Sequence, residues 1–136
     1  MESYRRFRGT AVKVVPVLFA FLLFADKPPE RIDWMRLRGL NYKTGRMNAD
    51  VKAIDGADVR IVGFMVPFDD EDKQTSEFLL VPGLGQCVHT PPPPPNQIVI
   101  VKMESGKKAD IFWDKPIWVD GKLKVETAKS PYGNVL

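Results

Sequence analysis

Residues 57–68 read ADVRIVGFMVPF, and the period of this stretch decides the fold class. Val59, Ile61, Gly63 and Met65 fall on one face, and Arg60, Val62, Phe64 and Val66 on the other. An alternation of two is the signature of a β-strand. Toward its end the strand is apolar on both faces, so both are expected to be covered. Gly63 in mid-strand marks a bulge or a sharp bend.

Working outward, the chain repeats this pattern at roughly ten-residue spacing. DDEDKQTS is an acidic connector, and EFLLVP a second strand that pairs with the first as a long-looped hairpin. GLGQ is a turn, NQIVIVKM a third strand and ESGKK another turn. KPIWVDGKLKVET holds either two short strands or one bent strand around Asp120-Gly121. Asp-Gly between apolar runs is a strong hairpin signal, and a kink is the alternative. Glycine recurs in mid-strand in IWVDGKLKV, and such glycines let strands curl around a barrel. Four or five short strands with little helix indicate a mainly β fold, a small barrel of the oligonucleotide/oligosaccharide-binding (OB) type over residues 51–136.

Two segments precede that domain. Residues 26–50 form a linker or arm with a turn at NYKTG and one short helical turn at most. Residues 1–25 carry Arg5, Arg6, Arg8 and Lys13 ahead of an apolar run, Val14 to Ala25, broken by Pro16. A basic start followed by about a dozen apolar residues is a secretory leader pattern. It is short for a membrane span, which takes roughly 20 apolar residues. Leu23 is large for a residue near a cleavage point, so an uncleaved leader acting as a membrane anchor stands beside a cleaved signal peptide. A buried N-terminal helix is the alternative. With no cysteine after the apolar run, lipidation is not supported.

Charge excludes one class of partner. The chain is +3 in total, and residues 1–25 account for all of it. The remainder is neutral, so the pI near 9 is no argument for binding DNA or RNA.

The stretch LLVPGLGQCVHTPPPPPNQIVIV, residues 79–101, holds the one cysteine, Cys87, and the one histidine, His89. In an extended chain residues two apart share a face. A thiolate and an imidazole placed so suit zinc or copper. Two ligands are too few for a structural zinc, which takes four; carboxylates of Asp69 to Asp72, Met65 or a second copy of the chain would have to complete the set. Alternatively Cys87 is a small buried hydrophobe and His89 caps a loop carbonyl. A reactive thiol is the third reading. It is the weakest, because a base locked two residues along a strand gives poor in-line geometry and no Cys-x-x-Cys exists. The expectation is a non-enzymatic protein.

Pro91, Pro92, Pro93, Pro94 and Pro95 are expected as polyproline II, a rigid rod of about 15 Å. Proline is excluded from central strands, so the run lies at an edge or across a barrel end. It is either a brace, with Asn96 and Gln97 bonding freed backbone groups, or a docking ligand for an aromatic groove on a partner. Among the tryptophans, Trp118 is expected in the core, and Trp113 in the core or lining a cleft. The acidic DDED run lacks the glycine and glutamate of a calcium loop and reads as a solvated connector.

VRIVGFMVPF, the Cys-x-His-x-Pro-Pro-Pro-Pro-Pro-Asn-Gln run and PIWVDGKLKVE together resemble a bacterial family, domain of unknown function 3299, over about residues 51–133. The resemblance implies an exported, periplasmic or envelope protein of Gram-negative bacteria with a β-barrel domain and no established enzymatic activity. Members encoded beside metal-linked transporter genes imply a metal-related role and envelope or transporter proteins as partners. This chain departs from the family pattern at Leu84, where VPGLG replaces an aromatic-bearing stretch, and at SPYGNVL, where a further strand is expected. The combined expectation is an envelope accessory protein that contacts zinc or copper through Cys87 and His89. A protein-interaction module with a structural Cys-His pair is the alternative.

Overall fold

The structure is a computed structural model, and it describes residues 27–68, 73–85 and 92–126 together with the backbone of 128–130 and 133–135. The leader, residues 1–25, lies outside the described residues. Among those described, no helix is long and apolar enough to cross a membrane.

The elements in chain order are β1 (Glu30–Arg31), α1 (Trp34–Leu37), β2 (Leu40–Asn41), β3 (Arg46–Met47), α2 (Ala49–Ile54), β4 (Asp58–Pro67), β5 (Gln74–Thr75), β6 (Glu77–Val81), β7 (Val99–Lys102), β8 (Ala109–Asp110), β9 (Ile117–Lys122), β10 (Ala128–Ser130) and β11 (Gly133–Val135). The fold is mainly β, as the alternation predicts.

The deciding stretch is the central strand. Along β4, burial alternates as the sequence dictates: Val59, Ile61 and Met65 are each 4% exposed while Asp58 and Arg60 face solvent. The first half of β4 pairs antiparallel with β9, from Asp58 opposite Lys122 to Gly63 opposite Ile117. It also pairs parallel with β1. The second half pairs with β6, from Phe64 opposite Val81 to Pro67 opposite Phe78. Partners change at Gly63. A Cβ built there would lie 2.7 Å from the Val81 carbonyl oxygen, 2.8 Å from Leu80 Cγ and 3.0 Å from Trp34 Cζ2. Glycine is required by this close approach of backbones and by the indole beneath it.

β6 pairs in turn with β7, which gives the sheet path β1-β4-β6-β7 with β9 on β4. The sheet does not close. Among the described residues no strand bridges β7 and β9, and the strands that could reach pair elsewhere: β8 with β5, β10 with β11. The expected closed barrel is corrected to an open, curled sheet. Asp120-Gly121 is also settled as the interior of one strand rather than a hairpin, since β9 pairs continuously with β4 through both residues.

The core gathers Ile32, Leu37, Ile54, Val59, Ile61, Met65, Phe78, Leu80 and Val101. Ile32 and Leu37 come from the segment before β4, so that segment supplies core rather than leaning on it. α2 follows its sequence signals: Asn48 Oδ1 accepts from Val51 N at 3.0 Å as the N-cap, and Val51 and Ile54, three apart, are fully buried. Trp118 is the clearest departure among side chains. It is 51% exposed, because Ile117 and Val119 take the inward positions of β9 and leave Trp118 and Asp120 outward. Arg31 covers the indole, its guanidinium carbon 4.7 Å from the ring centroid. Trp113 is exposed too.

Candidate binding surface at the proline segment

Cys87, His89 and Pro91 lie outside the described residues, as do Asp69 to Asp72. Among the described residues no group of three or more His, Cys, Asp or Glu side chains is placed to hold a metal ion. The site residues whose positions are described are Pro92 to Gln97.

Pro94, at φ −61° and ψ 152°, has polyproline II geometry. A single 3-10 turn, Pro95–Gln97, then steers the chain into β7. Gln97 N donates to the Pro94 carbonyl at 2.8 Å, and Ile98 N to that of Pro95 at 3.2 Å. Prolines have no N–H to give, so the tie to the rest of the protein falls to the two amides that follow. Asn96 Nδ2 donates to the Leu40 carbonyl at 2.9 Å. Gln97 Nε2 donates to the Trp34 carbonyl at 2.9 Å and to the Asn96 carbonyl at 2.8 Å. Gln97 is 5% exposed and is the buried polar residue among the described side chains.

Trp34, the acceptor's own residue, is fixed in turn. Its Nε1 donates to the Val62 carbonyl at 2.7 Å, and its ring borders Gly63. The proline segment is therefore joined through Gln97 and Trp34 to the point where β4 changes partners. Asp33 caps α1 beneath this joint, its Oδ1 accepting from Arg36 N at 2.9 Å, and Arg36 holds Glu30 of β1 at 2.5 Å.

Arg38, Tyr42, Pro82, Pro93, Pro94, Asn96 and Gln97 line a shallow groove of about 400 Å³. Arg38 and Tyr42 are exposed along it. A cation, a phenol and proline rings on a rigid segment can stack on or hydrogen-bond with an extended polypeptide. Sequence reasoning did not find Arg38, Tyr42 or Pro82. The signal lay in the turn between β2 and β3, where Asn41 Oδ1 accepts from Lys43 N and Thr44 N, both at 3.1 Å, and which carries the groove-lining Tyr42.

Comparison with known proteins adds the family. The profile of the family described as protein of unknown function (DUF3299) matches residues 38–135. A crystal structure of a DUF3299 family protein from Pseudomonas aeruginosa PAO1 is similar, with 31% sequence identity and a TM-score of 0.58. The similarity covers 80% of this chain and 89% of that one. Among curated proteins there is no match.

Proposed function

The chain belongs to the DUF3299 family, and from that premise we propose that it is a non-catalytic binding module of the bacterial envelope that recognises a protein partner through its proline segment and the adjoining groove. One observation carries this reading: the buried Gln97 amide ties the proline run to Trp34. A segment so anchored loses little conformational entropy on binding, which favours recognition. Export of the chain and an OB-like strand order in the open sheet belong to the same reading. They are supported by the basic-apolar leader pattern and by the three-stranded meander β4-β6-β7 with β9 returned onto β4.

A photo-crosslinking residue in place of Tyr42, in the full chain expressed in a Gram-negative host, tests this. A discrete adduct in the envelope fraction that disappears with Arg38→Glu is expected. Absence of any adduct, or one insensitive to Arg38→Glu, refutes a groove-directed partner. Replacing Gln97 by Met keeps the volume, removes the donor and strands two carbonyls. A loss of about 1–3 kcal/mol in unfolding free energy is expected, together with a weaker adduct. Zinc and copper titration beside the double change Cys87→Ala, His89→Ala separates the metal reading: stoichiometric binding lost only in the double variant would make the loop a metal carrier.

A further inference from the structure

A second cleft opens where the sheet fails to close, between β7 and the chain that leaves β9. Its accessible apolar lining is Val99, Ile100, Leu123 and Val125, all half-buried; the buried Leu37, Leu40 and Val51 lie behind them, and Asn96 completes the lining. The far wall is fixed by backbone. Leu123 N donates to the Ala57 carbonyl at 2.9 Å, Gly56 N to that of Leu123 at 2.8 Å, and Val125 N to Asp55 Oδ1 at 2.9 Å.

The chemistry of this lining divides cleanly. Its body is aliphatic, and the one amide in it, Asn96, has its Nδ2 committed to the Leu40 carbonyl. A sugar or nucleotide laid there would bury hydroxyls without partners. Three cations, Lys102, Lys122 and Lys124, border it with one acid, Glu126. Lys124 pairs with Glu126, and Lys102 reaches Glu77 only loosely, at 3.5 Å. Lys122 lies opposite Asp58 in register yet forms no ion pair among the described residues. The volume, about 300 Å³, is at the small end of ligand sites and suits one hydrocarbon chain rather than two.

We propose that this cleft binds a single acyl chain with an anionic head, the chain against Val99, Ile100, Leu123 and Val125 and the carboxylate or phosphate at Lys122, flanked by Lys102. Apolar burial supplies the affinity, and Lys122, in no ion pair among the described residues, selects the sign of the head. The inference is independent of the proline groove, with which it shares only Asn96 and no proposed partner.

The test is calorimetric titration of the full chain with laurate, dodecyl phosphate and dodecyltrimethylammonium, each below its micelle concentration. Both anions are expected to bind one to one, and the cation at least about tenfold more weakly. Lys122→Glu, at an exposed position, should weaken laurate about tenfold and strengthen the cation. Val125→Trp should fill the cleft and abolish binding of all three, with thermal melts confirming that it folds. Phosphatidylglycerol vesicles distinguish the source of the chain: Lys122-dependent retention on vesicles marks a membrane lipid, and binding of free laurate alone marks a soluble acid. Equal binding of laurate and the cation, affinity for laurate unchanged by Lys122→Glu, or no binding of either anion would each overturn the proposal.

Discussion

At the scale of single residues, Gly63 carries the most consequence for its size. It stands where β4 passes from β9 to β6, and a Cβ there would press on the Val81 carbonyl oxygen and on Leu80 Cγ. The carbonyl is backbone in a paired strand and cannot step aside, so Gly63→Ala should cost about 1–3 kcal/mol, in the range of core overpacking. Urea denaturation checks this; a variant as stable as the parent would show that the two halves of β4 can part without loss. The glycine was legible because a residue without a side chain in an apolar alternation has few other uses. Trp118 was misread for a related reason. Size and hydrophobicity pointed inward, yet Asp120 shares its face two residues on, and a face that carries an aspartate is a solvent face. Parity along β9 outweighs the character of one residue. At the proline segment, Asn96 and Gln97 were legible as bonding groups, but their acceptors, Leu40 and Trp34, lie 56 and 63 residues away and no local pattern records them.

Elements show where local signals conflict. Asp120-Gly121 has the composition of a hairpin turn and serves as mid-strand, because Arg60 on β4 reaches across to it. The guanidinium donates twice to the carboxylate, Nε and Nη2 each at 2.6 Å. These hydrogen bonds hold the Asp120 carboxyl below the usual aspartate range, with the charge on Arg60 acting the same way and partial desolvation opposing, and they raise the Arg60 pKa. The sign of the pH effect follows. A carboxyl whose folded pKa is depressed stabilises the fold above its unfolded value, about 3.9, and that contribution is lost as pH falls through the folded value. Asp120→Asn should therefore melt slightly below the parent at neutral pH, with the gap closing under acid. A gap that persists unchanged well below about pH 3.9 would assign the loss to packing instead. α2 was missed for the opposite reason. Six residues are too few to show a period, and its Asn48 cap and first-turn Asp50 were overshadowed by the strand that begins at Asp58.

For the whole molecule, the question is how much chain the fold needs. The strands from Val51 onward read as a self-contained barrel, and they are not closed: β1 lies along β4, and Ile32, Leu37 and Leu40 are 5%, 7% and 6% exposed. An open sheet cannot shield its own inner face, so the preceding segment covers it. That dependence was invisible in sequence because the apolar residues from Ile32 to Leu40 follow neither period, being split among an extended piece, one helical turn and a two-residue strand. Burying three aliphatic side chains is worth roughly 1.5–3 kcal/mol each. Together they approach the whole stability of a small domain, about 5–15 kcal/mol. The same segment supplies the carbonyls that Asn96 and Gln97 need. Residues 51–136 alone should therefore show no cooperative urea transition, while residues 27–136 should show one with a single midpoint by fluorescence and circular dichroism. Equal midpoints for the two would mean that the sheet closes by another route once the segment is gone. The open edge between β7 and β9 would then be a vacancy the chain itself can fill, and binding of laurate to residues 51–136 should fall away with it.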